Sequence, residues 1–303
     1  MAERLSFEDE IRKNKIKSTL LMGVIIIFFI ILGYVIALVL DPGYQGYFFV
    51  IMVISIIFSL GYTLISYYNS DKIALASVNA KPASKTEHRQ LYHSVESMSL
   101  ASGLPMPKVY VMQSEQINAF ASGRNPQHAI ICITTGALEK LNKQELEGVI
   151  AHEMSHIANF DIRFMTLSAI MIGLISILAE IFLRSLWYSG SNDSDKKGNA
   201  ILLVIGIIFA ILAPIAARLV SLAISRKREF QADATGVKFT RYSPGLKSAL
   251  KKIKYEHVSS SDSKHYAKAL APLFISDPFK KKIQTLFSTH PDIDVRIERL
   301  EKM

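Results

Sequence analysis

No Lys, Arg, Asp or Glu occurs from Ser18 to Leu40, a charge-free run between Lys17 and Asp41. A membrane-crossing helix needs roughly 20 apolar residues, so this run predicts a transmembrane helix. A signal peptide has a shorter apolar core and ends in a small-x-small cleavage site, which does not follow here. A second charge-free stretch lies between Asp41 and Asp71, its apolar part running from about Tyr47 to Tyr67. Asp41-Pro42-Gly43 between them is a turn signal. Residues 18–67 therefore read as a membrane hairpin. Two further apolar segments follow, Phe164–Trp187 carrying Glu180 and Arg184, and Asn199–Ile224 carrying Pro214 and Arg218. A pair of long buried helices in a soluble domain is the competing reading. Their charges lie toward the segment ends, where long side chains reach the interface. Residues 164–224 thus predict a second hairpin, giving four transmembrane helices.

The remaining stretches are polar and structured: a short N-terminal segment 1–17, residues 68–163, and residues 225–303. Lys108–Met112 alternates like a strand, and Ala129–Thr134 is a second β-rich run. Most of the rest has helical spacing, so the fold class is α+β and helix-rich, a multi-pass membrane protein with one extramembrane domain in two parts (68–163 and 225–303). Composition agrees: half of the 303 residues are hydrophobic and only 20% charged, below the quarter usual for soluble domains. One cysteine, Cys132, excludes a disulfide scaffold and sits in an apolar strand, as a core residue would.

The net charge of +9 is distributed unevenly. Segment 1–17 holds five Lys/Arg, Tyr68–Arg163 holds nine and Ser225–Met303 holds 17, whereas the Asp41–Gly46 loop holds none. With four spans, all basic stretches fall on one side, the cytoplasmic side by the positive-inside rule. N-terminus, C-terminus and the two-part domain are then all cytoplasmic, and the electrostatic partner is an anionic lipid bilayer. No aromatic-interleaved basic motif points to nucleic acid.

His152-Glu153-Met154-Ser155-His156 is an HExxH motif; composition alone would produce it roughly 0.01 times in this chain. Asn142, with Glu145 three residues on, forms a capping-box pattern that starts a helix through the motif. At i and i+4, His152 and His156 leave one helix face and supply half of a tetrahedral zinc site. Glu153 is placed as a general base rather than a ligand. A catalytic zinc takes three protein ligands. The zinc-protease class with a third His six residues beyond the second is excluded, because that position is Ile162. The thermolysin-like class uses a Glu on a later helix, followed four residues on by an Asp. Arg228-Glu229-Phe230-Gln231-Ala232-Asp233 has that pattern. Glu229 is the expected third ligand of one Zn²⁺ per chain, and Asp233 the acceptor that orients a ligating His. Two spans between the motifs explain their separation and return Glu229 to the side of His152. His88, His93, His128, His257 and His265 lie in polar surroundings and read as solvated.

Taken together, the residues resemble the HtpX-type membrane zinc endopeptidases, relatives of the CAAX prenyl proteases. The resemblance is carried by the N-terminal hairpin, Ala151-His-Glu-Met-Ser-His-Ile-Ala-Asn-Phe-Asp161, the second hairpin, Arg228-Glu-Phe-Gln-Ala-Asp-Ala-Thr-Gly236, Asn118-Ala-Phe-Ala-Ser-Gly123 and Ser288-Thr-His-Pro291. It implies a cytoplasmic-facing, zinc-dependent protease of the cell membrane acting in quality control on misfolded or damaged membrane proteins. It further implies that Asn118, Ala119, Phe120 and Ala121 form a substrate-binding edge, to which an extended peptide adds by main-chain hydrogen bonds; a buried loop is the alternative. His290 or Arg296 would donate to the oxyanion; the alternative for His290-Pro291 is a helix entry, with Pro291 in the first turn of a C-terminal helix running to Leu300. Asn159 and Asp161 close the HExxH helix.

Three other functions compete. A site-2-type intramembrane zinc protease would carry HExxH inside a span, but Lys143, Glu145, Glu147, Asp161 and Arg163 crowd the motif here. A zinc-binding scaffold would not need Glu153. A transporter would need more polar groups within its spans.

Overall fold

The computed structural model describes residues 7–39, 46–189, 206, 226–256, 273–275 and 291–303. Helices are numbered here among these residues. Helix α1 (Phe7–Val39) and α2 (Tyr47–Tyr68) form an antiparallel pair, and both are long and apolar enough to cross a membrane. The packing of α2 is inverted relative to a helix of a soluble protein. Buried positions of α2 are Ser59, Thr63 and Ser66, while Phe49, Ile54, Ile57 and Leu64 are exposed. Small polar residues between helices and large apolar ones outside suit a lipid surround. Gly33 permits the closest approach: a Cβ there would lie 1.8 Å from Ser55 Oγ. Phe29 stacks edge-on against Phe58 and Tyr62, with centroids 5.0 and 5.1 Å away.

After α3 (Ser70–Ser77) the chain enters a four-stranded sheet of order β1-β2-β4-β3, from Lys81–Pro82, Lys108–Met112, Ala119–Ser122 and Ile130–Thr134. Strands β2 and β4 pair in parallel; β3 runs antiparallel to β4 and β1 to β2. The two strands legible in the sequence are thus the central pair. All of β4 is buried, as expected of a strand covered on both faces. Cys132 lies in this strand, completely buried, and burial pushes its thiol well above the usual range; an ionised nucleophile is not its role.

Helices α4 (Arg89–Ser102), α5 (Thr135–Lys140) and α6 (Lys143–Ala158) complete the first part of the domain. The capping box is formed in full: Glu145 N–H donates to Asn142 Oδ1 at 3.0 Å, and Asn142 N–H to Glu145 Oε2 at 2.8 Å. Every residue of α6 from Gly148 onward is buried. It is enclosed by α4, β3, α8 (Arg226–Thr240) and α9 (Ser243–Tyr255), so the motif helix is surrounded by protein.

Helix α7 (Asp161–Ser189) leaves α6 at 87°. The corner is Phe160, held at φ 58°, a left-handed conformation that few non-glycine residues adopt. Phe164, Leu167, Met171 and Ile175 of α7 then pack on Leu21, Ile25, Phe28 and Phe29 of α1. This is one apolar stripe at helical spacing. The third expected span, Phe164–Trp187, therefore falls within a single helix lying against the first. The fourth, Asn199–Ile224, lies outside the described residues apart from Gly206. The C-terminal helix α10 (Ile293–Glu301) starts at Asp292, whose side chain accepts from Asp294 N–H. Pro291 therefore precedes the cap instead of occupying the first turn.

Candidate metal centre and active site

Helix α6 presents His152 and His156 on one face, with ring centroids 4.8 Å apart. Helix α8 crosses it closely enough that a Cβ on Gly236 would lie 3.1 Å from the His152 backbone nitrogen. That approach brings Glu229 and Asp233, two successive turns of α8, onto the histidines. The Nε2 atoms of His152 and His156 are 3.2 Å apart. Glu229 Oε2 is 3.5 Å from His152 Nε2, and Oε1 is 3.7 Å from His156 Nε2. Zinc at 2.0–2.1 Å from tetrahedral ligands sets their mutual separation at about 3.3 Å, close to all three distances. Among the described residues this is the group able to hold a metal.

The other ring nitrogens explain why these faces point inward. His152 Nδ1 donates to Asp233 at 2.9 Å, and His156 Nδ1 donates to Asp161 at 3.0 Å. An ionised carboxylate only accepts, so each Nδ1 carries a proton and each Nε2 can offer its lone pair to a metal. Charge gives a second test of fit. Glu153, Asp161, Glu229 and Asp233 face Arg228 and Arg296, all six buried. Four carboxylates against two guanidiniums leave two negative charges, which one dication cancels. Burial opposes a charged His152, yet its hydrogen bonds to Asp233 and Glu229 prevail and push it up to about 9. Burial also raises Glu153 above the usual carboxylate range, against the pull of the neighbouring histidines. A raised value brings a carboxylate toward the range where a general base works at neutral pH.

Asp161 is held by more than His156. Arg228 Nε donates to its Oδ1 at 2.9 Å, and so does Asn14 Nδ2 at 2.7 Å. Asn14 also donates to Asn159 O at 2.9 Å. The first turns of α1 thus clamp the α6–α7 corner beside the metal site. Asp161 does more than close a helix, as the sequence suggested; its position five residues beyond His156 was the available signal. No local spacing pointed to Asn14, which is 145 residues away from its acceptor at Asn159.

Arg296, one of the two expected oxyanion donors, lies beside the metal ligands and is engaged there with carboxylates. Its Nε and Nη2 fork onto the two oxygens of Asp233 at 2.9 and 2.7 Å. Its Nη1 donates to Ile275 O at 3.3 Å and lies 3.5 Å from Glu229. A guanidinium bound in this way, and fully buried, steadies the carboxylates behind the histidines. Burial disfavours the Asp233 charge, but Arg296 and His152 more than compensate and keep the carboxyl below the usual range. His290 lies outside the described residues.

Asn118–Ala121 leads into β3, the edge strand of the sheet beside α6. All four residues are buried. Ala121 N–H donates to the Glu153 carboxylate, which ties the strand to the expected base. The expected open edge is already filled at one point: Ile275 N–H donates to Ala119 O at 3.0 Å, and Phe274 packs edge-on against Phe120 at 5.4 Å.

Residues 84–303 match the sequence profile of peptidase family M48. The chain belongs to peptidase family M48. The protease HtpX homolog of Caldanaerobacter subterraneus subsp. tengcongensis is 46% identical over 302 residues, covering 97% of both chains. That of Dictyoglomus thermophilum is 40% identical over 98% of this chain and 95% of its own. The crystal structure of S. mikatae Ste24p aligns with a TM-score of 0.44 and 20% identity, over 95% of this chain and 65% of that one. This M48 peptidase is a membrane zinc metalloprotease with polypeptide substrates: the family, the relatives, the apolar hairpin and the His152/His156/Glu229 cluster agree.

Proposed function

We propose that His152, His156 and Glu229 hold one zinc ion per chain and that Glu153 is the general base of peptide-bond hydrolysis. The spacing of the three ligand atoms, with both Nδ1–H groups tied to carboxylates, carries this reading. Zinc there supplies a Lewis acid that activates water and polarises the scissile carbonyl. Glu153 takes the proton of the attacking water and later delivers it to the leaving amine. Asp233 and Asp161 orient the two imidazoles, and Arg296 fixes Asp233. The substrate backbone lies along β3, near Ala121, where the strand meets Glu153; pairing at Ala119 requires exchange with Ile275.

The substrates are unfolded or damaged membrane proteins, a reading supported by the HtpX-type resemblance. The enzyme crosses the cell membrane four times, with residues 18–67 and 164–224 as its two hairpins. Residues 68–163 and 225–303 make up the catalytic domain on the cytoplasmic face. The contact of Asn14 with Asn159 and Asp161 supports this, because it sets the active site at the N-terminal, basic end of α1. The burial of α6 in protein favours this arrangement over a motif inside a span.

The test is cleavage of an unfolded protein by the detergent-purified full chain, prepared under chelator and resupplied with zinc, beside Glu153→Gln. Zinc-restored cutting by wild type alone is expected. Equal cutting by a zinc-loaded Glu153→Gln would refute the role of Glu153, and silence of both with zinc bound would favour the scaffold reading.

A further inference from the structure

Outside the metal site, a cavity of about 220 Å³ opens where three helices meet. Its walls include Lys13, Asn14 and Lys17 of α1, Asp161 at the start of α7, and Lys227 and Arg228 at the start of α8. Lys13 and Lys17 are one helical turn apart and share a face. Four cationic side chains thus surround a space with one carboxylate in its wall. That carboxylate is already shared by His156, Asn14 and Arg228. The position along α1 fixes the cavity's depth. Ser18 begins the charge-free run, so Lys13 and Lys17 stand at the level where a spanning helix leaves the hydrocarbon. Lipid phosphates occupy that level.

From this we infer that the cavity binds a phosphate group, its chemistry shared by an anionic lipid headgroup and free phosphate. Lysine is a point-charge phosphate ligand, and basic residues at the membrane surface gain from anionic lipids. Such a ligand bridges α1 to the α6–α7 corner and α8, one residue from Glu229. It would fix the catalytic domain against the bilayer. The inference does not depend on the catalytic roles proposed above, because its readout is binding.

Zinc-loaded full chain in neutral detergent would be titrated with phosphatidylglycerol, with phosphatidylcholine and with inorganic phosphate at constant ionic strength. Native mass spectrometry would count the lipid retained per chain. Wild type is expected to retain phosphatidylglycerol saturably and in preference to phosphatidylcholine. Lys13→Gln/Lys17→Gln should bind it about 30-fold more weakly, while Lys85→Gln/Lys108→Gln, on distant surface, should bind like wild type. Lys227→Gln, a milder change at an exposed residue, should lose about 5-fold and serves if the double variant does not fold. Displacement of lipid by inorganic phosphate, or phosphate binding lost in the same variants without a lipid preference, would assign the pocket to soluble phosphate. Equal retention of both lipids with no phosphate binding, or affinities unchanged in both Lys13→Gln/Lys17→Gln and Lys227→Gln, would overturn the inference.

Discussion

Replacing Arg296 by Met separates two jobs that a buried arginine beside an active site can do. In this structure its guanidinium makes two hydrogen bonds to Asp233, at 2.9 and 2.7 Å, and faces Glu229 at 3.5 Å. Met fills similar space but leaves Asp233 and Glu229 buried without that cation. Breaking a buried pair by removing one partner costs about 3–5 kcal/mol. For a domain of this size, each kcal/mol shifts the unfolding midpoint by about 2–4 °C, so Arg296→Met should melt roughly 6–20 °C lower. Asp233 also orients His152, and loss of such support weakens metal binding about 10–100-fold. The assay pairs thermal unfolding with zinc competition against a chromophoric chelator, and then measures turnover at saturating zinc. An oxyanion donor behaves oppositely: its loss lowers kcat by about 10²–10³ with the metal site intact. Unchanged zinc affinity and unfolding midpoint together with such a fall in kcat would refute the positioning role.

Asp161→Asn should weaken zinc binding about 10–100-fold, because the amide no longer selects the Nδ1–H form of His156; competition with a chelator measures it. Gly236→Leu should cost about 1–3 kcal/mol by overpacking and reduce zinc occupancy, since the added carbons meet the His152 backbone; unfolding midpoints and metal analysis check both. Glu145 gives a pH signature. Burial raises its carboxyl, but hydrogen bonds from Lys252, Ser248 and Asn142 outweigh this and hold it below the usual range. The unfolded chain therefore binds this proton more tightly. The stability contributed is complete above about pH 4.3, the unfolded value, and is lost as pH falls through the folded one. Wild type should lose more stability than Glu145→Gln between about pH 6 and pH 3, as read by denaturant midpoints.

Local pattern made part of this molecule legible. The Asn142/Glu145 cap, the i, i+4 histidines and the alternation of β2 depend on neighbours in sequence, and the structure realises each of them. The first hairpin was legible because a run of apolar residues as long as α1 has few other solutions in water. What the sequence hid depends on long-range approach. Asn14 reaches Asp161 only because α1 docks on the α6–α7 corner. Arg296 meets Asp233 only because α10 packs behind α8. A residue with guanidinium chemistry near a zinc site suggested an oxyanion donor; the fork onto Asp233 could not be read without the third dimension. Strand β3, only Ala119–Ser122, is too short to show alternation, and the filling of its edge by Ile275 involves residues far apart in the chain. The 87° corner was also invisible, because nothing in Asn159-Phe160 marks a left-handed residue.

The central claim is that His152, His156 and Glu229 together hold the zinc, and zinc-edge X-ray absorption of the full chain with one equivalent of Zn²⁺ tests it most directly. The account predicts two imidazoles and carboxylate oxygen at about 2.0–2.2 Å. One imidazole should disappear in His156→Ala, and the protein oxygen in Glu229→Ala. A shell with a third imidazole or a sulfur, or one unchanged by either substitution, would contradict it.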